Sequence, residues 1–100
     1  MSIYMKKTDK NIIKDFFIVR NDRGLHTRPA TEIVKCAVGF KSKILLYFQS
    51  HEVNAKSLLG ILMLAATKGS KINIKATGAD AAEAVENLKK LAENNFNIKY

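Results

Sequence analysis

Apolar positions change their period several times along this chain, and each change marks an element. From Ile12 to Arg20 the residues are rich in β-branched and aromatic types, which predicts a strand. Alternation places Phe17 and Val19 on one face and Phe16 and Ile18 on the other. Asn21-Asp22-Arg23-Gly24 closes this strand with turn chemistry. Ile33, Val34 and Ala37 then recur three and four apart, which predicts a helix over 30–38, stopped at Gly39. Alternation returns over Lys43 to Gln49, with Ile44, Leu46 and Phe48 on one side and Leu45 and Tyr47 on the other. A short third strand is expected at Val53 to Ala55, forming a hairpin with the second and leaving His51 exposed. Lys71 to Thr77 reads as a fourth strand, with Ile72, Ile74 and Ala76 inward. In the last helix Ala81, Ala84, Val85, Leu88, Leu91 and Ala92 form the apolar stripe. Asp80 with Glu83 three residues on is a variant capping box. Lys89 and Lys90 suit the end of the helix dipole. Asn94-Asn95 frays the helix, and the last four residues carry no predicted element.

The segment from Leu58 to Ala66 breaks the pattern, because it is apolar all round where a surface helix of a small domain should show a polar face. One face against a sheet buries part of it, and Ile61, Leu64 and Ala65 are expected inward. Leu58, Leu59 and Leu62 are then left exposed, and an exposed apolar patch marks a protein partner. Ser57 precedes the segment as a good N-cap.

The order is therefore β-α-β-β-α-β-α. Four alternating strands and three striped helices predict an α+β domain, a four-stranded antiparallel sheet with its helices on one face. From order alone a ferredoxin-like plait fits equally well. One hundred residues make one domain, expected over 12–100 after a basic, poorly ordered tail at 1–11.

Charge adds a partner class. Seventeen Lys and Arg against nine Asp and Glu give +8, which predicts acidic partners or anionic ligands. The lysines are scattered through tail, strands and helices and no nucleic-acid-binding motif is present, so nucleic acid is not the expected partner. Cys36 is the one cysteine, so no intrachain disulfide can form and a reducing cytoplasm fits. No apolar run approaches the ~20 residues of a membrane span, and the first ten residues lack the apolar core of a signal peptide. His26 and His51, without acidic clustering, do not make a metal site. Nothing in the chain calls for a cofactor.

The chemistry concentrates in Gly24-Leu25-His26-Thr27-Arg28-Pro29-Ala30. Gly24 permits the φ > 0 geometry that lets a chain leave a strand sharply, and Pro29 suits the first turn of a helix. His26 is thereby placed just before a helix N-terminus, where unpaired amides point outward and favour an anion. The guanidinium of Arg28, two residues on, can reach an anionic group carried by the ring. Taken singly, either residue would be an ordinary exposed side chain. The joint pattern Gly-x-His-x-Arg-Pro-Ala, in phase with a helix, points to a histidine that accepts and passes on phosphate.

This pattern resembles the active-site signature of the HPr family, the histidine phosphocarriers of the bacterial phosphoenolpyruvate:sugar phosphotransferase system, and the similarity runs from about Phe16 to about Asn94. The resemblance selects the open-faced β-sandwich over the plait. It implies that His26 is the phosphorylated histidine and Arg28 the arginine beside it, with the backbone of Thr27 and Arg28 stabilising the phosphate. It implies charging by enzyme I and discharge to enzyme IIA domains, by a monomeric carrier and not a stand-alone catalyst. Leu58, Leu59, Leu62 and Thr31 are the implied partner-binding residues. Ser57 matches the regulatory serine of those members controlled by an HPr kinase/phosphorylase. Family members often carry Gly where this chain has Ser50 and Ala65, so the turns there are expected to differ.

Overall fold

The computed structural model describes residues 11–98; the basic tail expected at 1–11 lies outside them except for Asn11, as do Lys99 and Tyr100. The elements run β1 (Ile12–Ile18), α1 (Thr27–Ala37), β2 (Lys43–Phe48), β3 (His51–Asn54), α2 (Leu58–Met63), β4 (Lys71–Thr77) and α3 (Ala81–Glu93), followed by a short turn at Asn95–Asn97. The strands form one sheet in the order β1-β4-β2-β3, and every pairing is antiparallel. β4 lies between β1 and β2, so β1-α1-β2 is a split crossover whose helix covers one face of the sheet. The three helices share that face, as predicted, and the architecture is the open-faced sandwich.

Registers follow from the alternation. Ile72 and Ile74 of β4 stand opposite Phe17 and Asp15 of β1, while Ile74 and Ala76 stand opposite Leu46 and Ile44 of β2. Phe17, Val19, Ile44, Leu46, Ile72, Ile74 and Ala76 are all buried, and they meet Ala30, Ile33 and Ala37 of α1. The α3 stripe from Ala81 to Ala92 is buried at all six predicted positions. Each large apolar side chain so enclosed contributes roughly 1.5–3 kcal/mol.

Several boundaries differ from expectation. β1 stops at Ile18, because the amide of Val19 donates to Ser70 (2.9 Å) and its carbonyl accepts from Gly69 (2.7 Å), a loop rather than a strand partner. β3 starts two residues early, at His51, since Phe48 pairs with His51 across a two-residue turn. That turn takes its positive φ at Gln49 (57°) and not at Ser50. Val34 and Phe48 are only half-buried, against the core rather than in it.

The capping box of α3 does not form. The Asp80 side chain makes no cap bond; its carboxylate instead accepts the amides of Lys41 (2.9 Å) and Ser42 (3.0 Å) and the hydroxyl of Ser42. These bonds tie the loop before β2 to the loop before α3, and they hold the Asp80 carboxyl below the usual carboxylate range. The chain end predicted to fray is instead anchored. Asn95, Phe96 and Asn97 have φ of 55°, 56° and 59°, a left-handed turn that swings the Phe96 ring fully into the core. There it meets Phe17 edge-on, with centroids 6.0 Å apart and planes at 74°.

Candidate active site

The segment from Asn21 to Ala30 is a strand-to-helix junction held by a run of backbone hydrogen bonds. Gly24 has φ 69°, and its backbone approaches the segment after α2 so closely that a Cβ would sit 2.3 Å from the Ala66 carbonyl oxygen. Only glycine fits both conditions. The Leu25 amide donates to that same Ala66 oxygen (2.9 Å), and Lys68 Nζ meets Asp22 at 2.9 Å. The buried Asn21 grips both sides of Gly24: its carbonyl accepts the Gly24 amide (3.1 Å) and its Nδ2 donates to the Gly24 oxygen. Leu25 is buried beneath the loop. Nothing in the sequence marked Asn21 for this role, because an Asn in a turn run has many uses.

His26 is the N-cap residue of α1, in an extended conformation (φ −84°, ψ −166°). Its own amide is used by the Gly24 carbonyl (3.0 Å), and its carbonyl accepts from Ala30 (3.0 Å). The first-turn amides of Thr27 and Arg28 have no intrahelical acceptor, and Pro29 at the third position supplies no N–H at all. The helix mouth therefore presents two outward amides next to a half-exposed imidazole, with Arg28 exposed beside it. The first turn holds no acidic residue, so an anion meets partial positive charge there without opposition. Thr31, half-buried one turn on, donates its hydroxyl to the Thr27 carbonyl at 2.7 Å.

Ser57 caps α2 as predicted, its Oγ accepting from the Gly60 amide at 3.0 Å. The helix is shorter than expected, ending at Met63 with Leu64 as C-cap. This changes the expected apolar patch. Ile61 and Leu64 are buried, but Ala65 is exposed in a left-handed conformation (φ 50°) and Ala66 is buried in its place. Leu62, expected outside, is half-buried against the core. The exposed large apolar residues of α2 are Leu58 (39%), Leu59 (68%) and Met63 (70%). Met63, missing from the expected patch, lies across the helix from Ile61 and Leu64, so helical spacing alone places it outside. α2 packs against α1, and the Leu25–Ala66 bond ties its exit to the His26 loop.

The Cys36 thiol is half-buried, and burial pushes its pKa up, consistent with a packing role. His51 is an exposed strand residue. Among the described residues, no cluster of three or more His, Cys, Asp or Glu could hold a metal, and no helix is long and apolar enough to cross a membrane.

Comparison with known proteins identifies the family. Residues 13–94 match the family model described as PTS HPr component phosphorylation site. The chain is 40% identical over 80 residues to the phosphocarrier protein HPr of Xylella fastidiosa (strain 9a5c), covering 80% of this chain and 90% of that one. It is 40% identical over 78 residues to the phosphocarrier protein HPr of Treponema pallidum (strain Nichols), covering 78% and 89%. The crystal structure of HPr-C-His from Thermoanaerobacter tengcongensis superposes with a TM-score of 0.83 at 34% identity, over 88% of this chain and 99% of that one. A single-imidazole helix mouth, an open-faced sandwich and these matches over most of the chain lead to one conclusion: the chain belongs to the HPr family of phosphocarrier proteins of the phosphotransferase system.

Proposed function

We propose that His26 accepts a phosphoryl group from phosphorylated enzyme I and passes it to enzyme IIA domains. The observation that supports this reading best is the position of the imidazole at the N-cap of α1, half-exposed beside two amides without intrahelical acceptors. In charging, the unprotonated Nδ1 of His26 attacks phosphorus in line. An N–P bond forms on His26 as the N–P bond on the donor histidine breaks, and the donor ring leaves with the bonding pair. Discharge reverses the roles, the acceptor on the IIA domain attacking the phosphorus held on His26. Phosphoryl transfer depends chiefly on positioning and charge stabilisation. The Thr27 and Arg28 amides and the Arg28 guanidinium hold the phosphoryl oxygens. Leu58, Leu59 and Met63, with the edges of Leu62 and Thr31, form the apolar ground on which partners sit beside the loop. The domain acts as a soluble monomer in the cytoplasm.

Ser57 is the proposed regulatory site, phosphorylated by an ATP-dependent HPr kinase/phosphorylase. A phosphate on its Oγ would remain at the start of α2 while placing about two negative charges beside the apolar patch. Docking of enzyme I would weaken as a result.

Incubation with phosphoenolpyruvate and purified enzyme I tests the carrier. The wild type should gain acid-labile, alkali-stable phosphate that is absent in His26→Ala. A wild type that stays unlabelled, or a label that survives in His26→Ala, overturns the assignment. With an HPr kinase and ATP, acid-stable phosphate should appear and be lost in Ser57→Ala.

A further inference from the structure

The sheet face turned away from the helices collects charge that looks scattered in the sequence. Lys14 of β1 stands opposite Lys75 of β4. Lys43 and Lys71 project from the same face, since their neighbours Ile44 and Ile72 point into the core. None of these four lysines pairs with a carboxylate among the described residues. The face carries one acid in its central rows, Glu52, opposite Tyr47. Across the middle run two rings: Phe16, 42% exposed, pairs with Asn73, which pairs in turn with Tyr47. Strands lie about 4.8 Å apart, so these rings are roughly 10 Å apart with an amide side chain between them. Lys14, Asp15, Tyr47, Asn73, Ile74 and Lys75 line a shallow depression of ≈ 330 Å³, the Asp15 carboxylate being taken by Lys89 of α3, and Lys71 lies over the Phe16 ring at 4.4 Å.

We propose that this open face binds single-stranded nucleic acid, with bases stacked on Phe16 and Tyr47 and phosphates held by Lys14, Lys43, Lys71 and Lys75. A cationic surface interrupted by exposed rings is what a flexible strand needs, because every base has a π-face and every linkage a negative charge. Asn73 lies between the rings, where its amide can bond a base edge. Charge rules out two other occupants. Residues 1–10 carry Lys6, Lys7 and Lys10 against Asp9, and a second copy of the chain carries +8; both would meet like charge. An acidic protein also matches the lysines, and competition by polyglutamate is the outcome that would assign it the face. The lysines had argued against nucleic acid because they are distant in sequence; pairing of β1, β2 and β4 brings these four together.

The test is fluorescence anisotropy with a labelled 12-nucleotide oligo-U and a matched duplex, on the full chain in low salt. The single strand should bind more tightly than the duplex. Four phosphate contacts predict a slope of log K against log[salt] near about −3. Phe16→Ala and Tyr47→Ala should each weaken binding by roughly 5- to 100-fold. Lys14→Gln with Lys75→Gln should flatten the salt slope by about half. Amide NMR signals of β1, β2 and β4 should shift on titration, and labelling of His26 by enzyme I should be unchanged in all three variants. The proposal fails if the single strand does not bind, if the duplex binds equally well, or if polyglutamate displaces the oligonucleotide at equal charge concentration. It also fails if both ring variants bind like wild type while circular dichroism shows them folded.

Discussion

Adding one methyl group at Gly24 should separate the strain of a left-handed backbone from the close approach that positions the active-site loop. Gly24 and Gly69 both have positive φ, 69° and 92°. A Cβ at Gly69 meets nothing within 4 Å, whereas one at Gly24 lies 2.3 Å from the Ala66 oxygen and 2.9 Å from Thr67 Cα. For Gly69→Ala the left-handed conformation costs about 1–2 kcal/mol, offset by about 0.4–1 kcal/mol from the stiffer unfolded chain. The net loss is of order 0.5–1 kcal/mol. Gly24→Ala carries the same balance and must also push the backbone at 66–67 away. That move breaks the Leu25–Ala66 hydrogen bond and leaves a buried amide without a partner, at about 1–3 kcal/mol more. The total is roughly 2–4 kcal/mol. With a urea m-value of about 1–2 kcal/mol/M, the unfolding midpoint of Gly24→Ala should fall by more than about 1 M, and that of Gly69→Ala by distinctly less. Charging by enzyme I, measured where both variants are folded, should slow only in Gly24→Ala, because only that change moves the turn that ends at His26. Equal midpoint losses in the two variants would refute the close-approach argument. A Gly24→Ala protein charged at the wild-type rate would show that the Gly24–Ala66 contact does not position the ring.

Three further outcomes are expected. Asp80→Asn should lower the thermal midpoint at neutral pH by loosening the loops that its carboxylate joins. Because that carboxyl is held below its ordinary value, its contribution is present above about pH 4 and is lost as pH falls through the folded-state value. The midpoints of wild type and Asp80→Asn should therefore converge in acid, and a gap that widens there would contradict the assignment. Ala65→Gly relieves a left-handed alanine (φ 50°) at the end of α2 and should raise stability by about 0.5–1 kcal/mol, visible as a higher melting temperature by calorimetry; a lower one would show that the strain is not there. Leu59→Glu, at an exposed position, should change stability by less than about 0.5 kcal/mol yet slow charging by enzyme I severalfold. A normal initial rate in a stopped-flow transfer assay would move the docking ground elsewhere.

The sequence alone determined the elements whose apolar residues repeat in step with their own geometry. The strand alternation of β2 and β4, the six-residue stripe of α3 and the junction at Gly24–Ala30 each depend on side chains one to four positions apart, and local period and turn chemistry are enough to read them. The candidate site was legible for the same reason: His26, Arg28 and Pro29 belong to one turn of helix, so their spacing is their geometry. Distance along the chain hid the rest. Asp80 looked like a cap because its use by Lys41 and Ser42 depends on two loops meeting almost forty residues apart. The inward swing of Phe96 needs a left-handed turn whose cost only the core can offset. The end of α2 at Met63 rests on a left-handed Ala65, followed by Ala66, whose carbonyl holds the Leu25 amide; no count of apolar residues reveals that bond. Likewise, four lysines on three strands became one surface only through the order β1-β4-β2-β3. Periodicity records which side of its own element a residue faces, and tertiary packing alone decides which other element it meets.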